Sequence, residues 1–159
     1  MDLESVRKRF GLSQITAAQL VNVPLRTFIR YEKDNEYGSA LKRNMIVQTL
    51  IEKCEITDDK GIISVEFIKN ELMRLFDGAY QNKIDFCYLF GSYAKGYANE
   101  KSDVDLCIST SLRGLDFAGL AESIRNILHK RVDLIRFSNL GDNLELINEI
   151  MKDGIKIYG

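Results

Sequence analysis

Apolar residues recur at helical spacing through the first third of the chain, and further on they give way to alternation. Leu3, Val6 and Phe10 share one helical face while Arg7, Lys8 and Arg9 occupy the other, and Gly11 ends this first short helix. Ser13 is placed to cap a second helix through Ala17, Ala18, Leu20 and Val21, which runs out in a turn at Asn22-Val23. Pro24 suits the first position of a third helix, where its missing N–H is no loss, and that helix is expected over 25–33. A fourth is expected over 41–52, with Leu41, Met45, Leu50 and Ile51 as its apolar residues. Residues 54–63, with Asp58, Asp59, Lys60 and Gly61 together, have the composition of a linker. Ser64 then opens a helix carrying Val65, Ile68, Leu72, Leu75 and Phe76 on one stripe, ending near Asp77-Gly78.

The second half alternates strands and helices. Strands are expected over 84–90, 103–110 and 131–137, with a short one over 155–158. A helix over 115–130 buries Phe117, Leu120, Ala121, Ile124, Ile127 and Leu128, and a last helix over 143–152 is stopped by Gly154. On the 103–110 strand, alternation sends Asp103, Asp105 and Cys107 to one face and Val104, Leu106 and Ile108 to the other, into a core. The strand after it has the same pattern: Val132-Asp133-Leu134-Ile135 is apolar around one acid, which makes Asp133 a third candidate carboxylate.

Composition is that of a folded globular protein, with 45% hydrophobic and 28% charged residues in 159. A net charge of −1 hides an asymmetry. Residues 1–53 hold nine basic and six acidic side chains, a net of +3, so the remainder is near −4; a basic front is compatible with nucleic acid. Cys54, Cys87 and Cys107 are odd in number and lack Cys-x-x-Cys or Cys/His spacing, which argues against a disulfide framework and against zinc. The first ten residues are too charged for a signal peptide, and no apolar run approaches membrane-spanning length. A reducing, cytoplasmic setting without membrane contact is therefore expected.

The candidate chemistry lies between residues 88 and 109. Paired acids on a half-buried strand invite a cation, and the Gly91-Ser92 turn closing the preceding strand offers backbone N–H groups and a hydroxyl to an anion. Together they suggest a site for a metal-bound nucleotide phosphate. Gly91-Ser92, ten intervening residues, then Asp103-Val104-Asp105, placed strand-turn-strand, resembles the signature of the DNA polymerase beta-like nucleotidyltransferases, and closely that of the minimal nucleotidyltransferases. That resemblance spans about residues 64–158. It implies an α/β (α+β) fold with a small mixed sheet, in which the Asp133 strand neighbours the Asp103/Asp105 strand. It further implies that Asp103, Asp105 and Asp133 are catalytic and hold two Mg²⁺ ions, that Gly91, Ser92, Lys95 and Ser102 bind the nucleotide, and that pyrophosphate leaves. Lys95 stands where many relatives have Arg, so its contact would be a point charge and not a bidentate fork. Tyr93 and Tyr97 border the turn and are candidates for base stacking or partial core packing, and His129 is read as a helix-end residue.

Gly11-Leu12-Ser13-Gln14, Ala17, Ala18, the turn at Asn22-Val23 and residues 27–32 resemble the all-α helix-turn-helix domain of phage-repressor-like regulators. This implies that Arg26, Thr27 and Arg30 touch operator DNA. The domains expected are thus 1–53 helix-turn-helix, 54–63 linker and 64–159 minimal nucleotidyltransferase. Minimal nucleotidyltransferases of this kind resemble the antitoxins paired with HEPN-domain RNase toxins, which they silence by moving AMP from ATP to a toxin tyrosine. The resemblance therefore implies an antitoxin-type protein adenylyltransferase that represses its own operon, with a HEPN-type toxin as partner and a homo- or hetero-oligomer as its assembly. The alternatives are a regulator whose second domain senses nucleotide without transfer, and a nucleotidyltransferase acting on a small molecule of the aminoglycoside kind.

Overall fold

A computed structural model describes residues 2–159, which form two compact units, one through Glu55 and the other Ile56–Gly159. The first consists of α1 (Leu3–Arg9), α2 (Gln14–Leu20), α3 (Leu25–Lys33) and α4 (Ala40–Cys54). Side-chain caps start three of these helices: Asp2 accepts from the Ser5 N–H, Ser13 from Thr16 and Ser39 from Lys42. Pro24 sits one residue before α3 and not within it, and having no acceptor it makes no side-chain cap bond. The core gathers Leu3, Val6, Ala17, Ala18, Phe28, Tyr31, Ile46, Val47 and Leu50. The expected apolar face of α4 is corrected here. Ile46, Val47 and Leu50 are the buried stripe that α4 turns toward its unit's core, whereas Leu41 and Met45, on the opposite side of the helix, stand 73% and 61% exposed.

The second unit contains α5 (Val65–Asp77), β1 (Ile84–Phe90), α6 (Gly91–Lys95), β2 (Val104–Thr110), α7 (Gly114–Leu128), β3 (Val132–Arg136), α8 (Leu144–Asp153) and β4 (Ile155–Tyr158). The sheet order is β3-β2-β1-β4; β1 is antiparallel to β2 and β4, and β2 is parallel to β3. The mixed sheet expected from the sequence is therefore present. One sheet face buries Leu89, Val104, Leu106, Ile108 and Val132 against Ile68, Leu72 and Phe76 of α5 and Leu120, Ile124 and Leu128 of α7. The other face carries Phe90 and Cys107, with Tyr88 and Ile135 packed against them, and is covered by Ile150, Leu146 and Ile147 of α8 together with Leu140. The acids share this second, thinner side.

Residues 54–63 are divided between the units. Cys54 belongs to α4 and packs on the first core, while Ile56 and Ile63 pack into the second and Thr57 pairs with Lys60 in a tight hairpin. The helix expected over 115–130 ends earlier, at Leu128, because His129 adopts a left-handed conformation (φ 54°) and closes it. Lys130 is thereby released from the helix and buried in the approach to β3. Among the described residues no helix is long and apolar enough to cross a membrane.

Candidate active site

Backbone pairing decides which acids meet. In the parallel β2/β3 ladder Asp105 stands directly opposite Asp133, so both side chains leave the sheet on the same face, with the strands ~4.8 Å apart. In the antiparallel β1/β2 ladder Phe90 pairs with Asp105, so the turn that follows, Gly91, arrives above the Asp105 carboxylate. Gly91 has φ +70°, and a Cβ at this position would collide with that carboxylate. Close approach is thus required within the protein itself, before any nucleotide is considered. Asp103 lies just outside β2, exposed, two residues from Asp105 along the same alternation.

Asp105 is half-buried and has its pKa pushed up from 3.8 to about 6, first by burial and then by the charges of Asp133, Asp103 and Glu149. Cations are present close by but engaged elsewhere. Lys95 Nζ lies 2.7 Å from Glu149 Oε1 of α8, and this hydrogen bond holds its pKa above the usual lysine value. Arg131 donates from Nε to Asp103 Oδ1 at 2.8 Å, from Nη1 to Asp59 Oδ1 at 3.1 Å and from Nη2 to the Lys101 carbonyl at 3.0 Å. Lys130, drawn below its usual pKa by burial, donates to the carbonyls of Glu100 (2.7 Å) and Lys60 (3.2 Å).

The remaining expected site residues divide as follows. Ser92 is half-buried at the start of α6, and its carbonyl accepts from Gly96 and Tyr97, closing the turn. Ser102 serves the loop: its hydroxyl accepts from the Asn99 N–H at 2.8 Å, and the Asn99 carbonyl accepts from the Ser102 N–H at 3.0 Å. Tyr93 is buried in the core and Tyr97 is exposed. In the first unit Arg26 and Arg30 are exposed on α3, with Thr27 half-buried between them and Phe28 and Tyr31 on the buried side. The Arg30 guanidinium lies 5.5 Å from the centre of the Tyr37 ring.

Among the described residues no three His, Cys, Asp or Glu side chains converge on one point as a ready-made metal centre. The donor set nevertheless fits a divalent cation. Asp105 is flanked by like charges and unpaired with any of the nearby cations, so a hard cation accepting carboxylate oxygens would relieve the repulsion that raises its pKa.

Sequence reasoning missed Arg131, Lys130 and Glu149. The Lys130-Arg131 pair immediately before Val132-Asp133 was a usable signal, since two cations at the start of an acid-bearing strand can neutralise its neighbour. Glu149 carried none, being one more polar residue on an amphipathic helix.

The second unit also holds a groove of about 360 Å³ farther along the acid face, lined by Phe86, Tyr88, Cys107, Phe137, Ile150 and Met151 among others. A larger concavity of about 490 Å³ lies in the first unit between α2 and α3, and no ionisable side chain lines it.

The family model for polymerase beta nucleotidyltransferases matches residues 70–159. No curated protein matches the chain. Among solved structures, it is similar to a chain of a toxin–antitoxin complex with AMP-PNP, at 25% identity over 57% of this chain and 73% of that one, with a TM-score of 0.49. It is similar also to a chain of the tri-AMPylated Shewanella oneidensis HEPN toxin in complex with MNT antitoxin, at 22% identity over 59% of this chain and 71% of that one, with a TM-score of 0.45. A chain of the MntA-HepT toxin–antitoxin gives 21% identity over 59% and 72%, with a TM-score of 0.44.

Proposed function

Because the chain belongs to the polymerase beta nucleotidyltransferase family, we propose that its second unit transfers AMP from ATP to a tyrosine of a HEPN-type RNase toxin, releasing pyrophosphate, and that its first unit binds operator DNA. The observation that carries the transfer is the in-register pair Asp105 and Asp133, roofed by the Gly91 turn. Asp103, Asp105 and Asp133 would hold Mg²⁺, which when bound lowers the pKa of the attacking hydroxyl and spreads the charge developing on the α-phosphate. Ser92 offers its N–H and hydroxyl to the β- and γ-phosphates. Lys95 reaches phosphate only by exchanging Glu149 for it. Asp103 and Asp133 are exposed, so the site is an open face and not a closed pocket, which suits an acceptor presented on the surface of a folded protein.

Incubation of the chain with α-labelled ATP, Mg²⁺ and its cognate HEPN toxin is expected to label the toxin. Asp103→Ala with Asp105→Ala is expected to lower labelling by at least ~10³-fold, and undiminished labelling in that variant would remove the catalytic assignment.

Operator binding rests on the exposed Arg26 and Arg30, one turn apart on α3, in a unit of excess positive charge. Replacing both by Ala is expected to weaken operator binding and to flatten the slope of log K against log salt by about 2, in line with two lost phosphate contacts. A slope identical to that of the unmodified chain would move the DNA-binding face elsewhere.

A further inference from the structure

We propose that Arg131 is a positioning residue for the cation site, holding Asp103 at the rim of the acid face so that one carboxylate oxygen stays available to the ion. The inference rests on the assignment of Asp103 as a cation ligand and adds the residue that aims it. Asp103 precedes β2, so no sheet ladder fixes its backbone from within the strand. What fixes it comes from the other side of the parallel pair. The Val104 N–H donates to the Arg131 carbonyl at 2.9 Å, and the Arg131 side chain returns to Asp103 Oδ1, leaving Oδ2 unclaimed by the guanidinium.

All three guanidinium nitrogens are used, and on two segments: Asp103 itself and the Lys101 carbonyl in the loop before β2, and Asp59 of the 57–60 hairpin. Buried Lys130 fastens the same two loops from beneath through the carbonyls of Glu100 and Lys60. The loop that delivers Asp103 is therefore pinned by two consecutive residues of the strand start that delivers Asp133.

The alternative is a surface ion pair of no consequence, and the two differ in what they affect. Arg131 and Asp103 side chains are 44% and 49% exposed, so their pairing adds little to folding stability. A partner that orients a ligating carboxylate acts instead on ion affinity, where loss of such a partner typically weakens binding about 10- to 100-fold. An arginine occupying Asp103 in competition with the ion would have the opposite effect.

The test is Mn²⁺ binding by the full-length protein in the presence of a non-hydrolysable ATP analogue, followed by the electron paramagnetic resonance of free Mn²⁺, with thermal melts in chelator run alongside. Arg131→Ala is expected to weaken Mn²⁺ binding about tenfold while the chelator melt stays close to that of the unmodified chain. Arg131→Lys, which keeps the charge but not the fork, is expected to fall between the two, by about threefold, and carries the test if the alanine variant does not fold. Asp59→Asn, which removes only the outer ion pair, is expected to stay within about twofold. Unchanged or tighter Mn²⁺ binding in both Arg131 variants overturns the inference, as does a loss in Asp59→Asn equal to that in Arg131→Ala. If the unmodified chain binds Mn²⁺ no better than Asp103→Asn with Asp105→Asn, the cation site itself is wrong, an outcome distinct from failure of the arginine's role.

Discussion

Glu32 on α3 and Asp105 on β2 are both carboxylates drawn toward the interior of their units, and their surroundings differ in sign. The Glu32 side chain is 2% exposed, receives the Arg7 Nε–H at 2.5 Å on one oxygen and the Gln14 amide on the other, while Arg7 also donates to the Leu12 carbonyl at 2.7 Å. Charge and hydrogen-bonding capacity are both met from within the unit, which is how a buried carboxylate becomes part of a scaffold. Asp105 is only half-buried yet faces Asp133, Asp103 and Glu149, and the cations near it are committed to Asp103, Asp59 and Glu149. A fold that can supply a counter-ion to one acid and withholds it from another marks the second as the place where something is to bind.

The comparison breaks most visibly if Glu32 is removed. Glu32→Ala strands Arg7 in a nearly closed site, and the expected cost is about 3–5 kcal/mol within the first unit. Hydrogen exchange of α3 amides measures it, and a change below about 1 kcal/mol would show that Arg7 re-solvates freely and that the pair is no scaffold.

The same contrast is sharpened at Gly91. There the backbone is left-handed, φ +70°, and the space a Cβ would take is filled by the Asp105 carboxylate. Gly91→Ala must either move the turn that carries Ser92 or push Asp105 out of register with Asp133. Transfer activity is expected to drop about 100-fold, since displacements of this size at a reacting centre cost that much. Comparison of kcat/KM with the thermal midpoint separates misplacement from unfolding.

How much of this was legible beforehand follows from how each feature is encoded. Alternation around Asp105 and Asp133, the Gly91-Ser92 turn between apolar strands, and the Ser13 and Ser64 caps are local, and each appears in the structure where spacing put it. The errors are of a different kind. Leu41 and Met45 are as apolar as Ile46 and Val47, and only the direction from which α1 and α2 meet α4 decides which pair is buried. His129 reads as a helix-end residue and does cap α7, but no sequence mark commits it to a left-handed conformation, so the burial of Lys130 was hidden. Arg131 and Glu149 reach the site from 28 residues beyond Asp103 and from another helix, which no periodicity reports.

The smallest expected effect is also the most direct measure of the difference between the two carboxylates. Burial and the charges of Asp133, Asp103 and Glu149 push the Asp105 carboxyl up from its ordinary 3.8 to about 6. A raised folded pKa means that, between these values, the native state binds more protons than the unfolded chain, so stability falls as pH rises through the window and stays low above it. Unscreened, a shift of that size would correspond to about 3 kcal/mol, but the carboxylate is half-exposed and solvent screening reduces this to about 1 kcal/mol. Asp105→Asn keeps the shape and cannot ionise. In chelator at about pH 7.5 it is therefore expected to be more stable than the unmodified chain by about 1 kcal/mol, with the advantage gone below about pH 4, where Asp105 is protonated in both states. Urea midpoints across this range measure the difference. Adding Mg²⁺ is expected to erase the advantage near neutral pH, because the ion stabilises the native carboxylate and has one ligand fewer in the asparagine variant. An Asp105→Asn variant less stable than the unmodified chain at every pH would mean that Asp105, like Glu32, is paired within the fold.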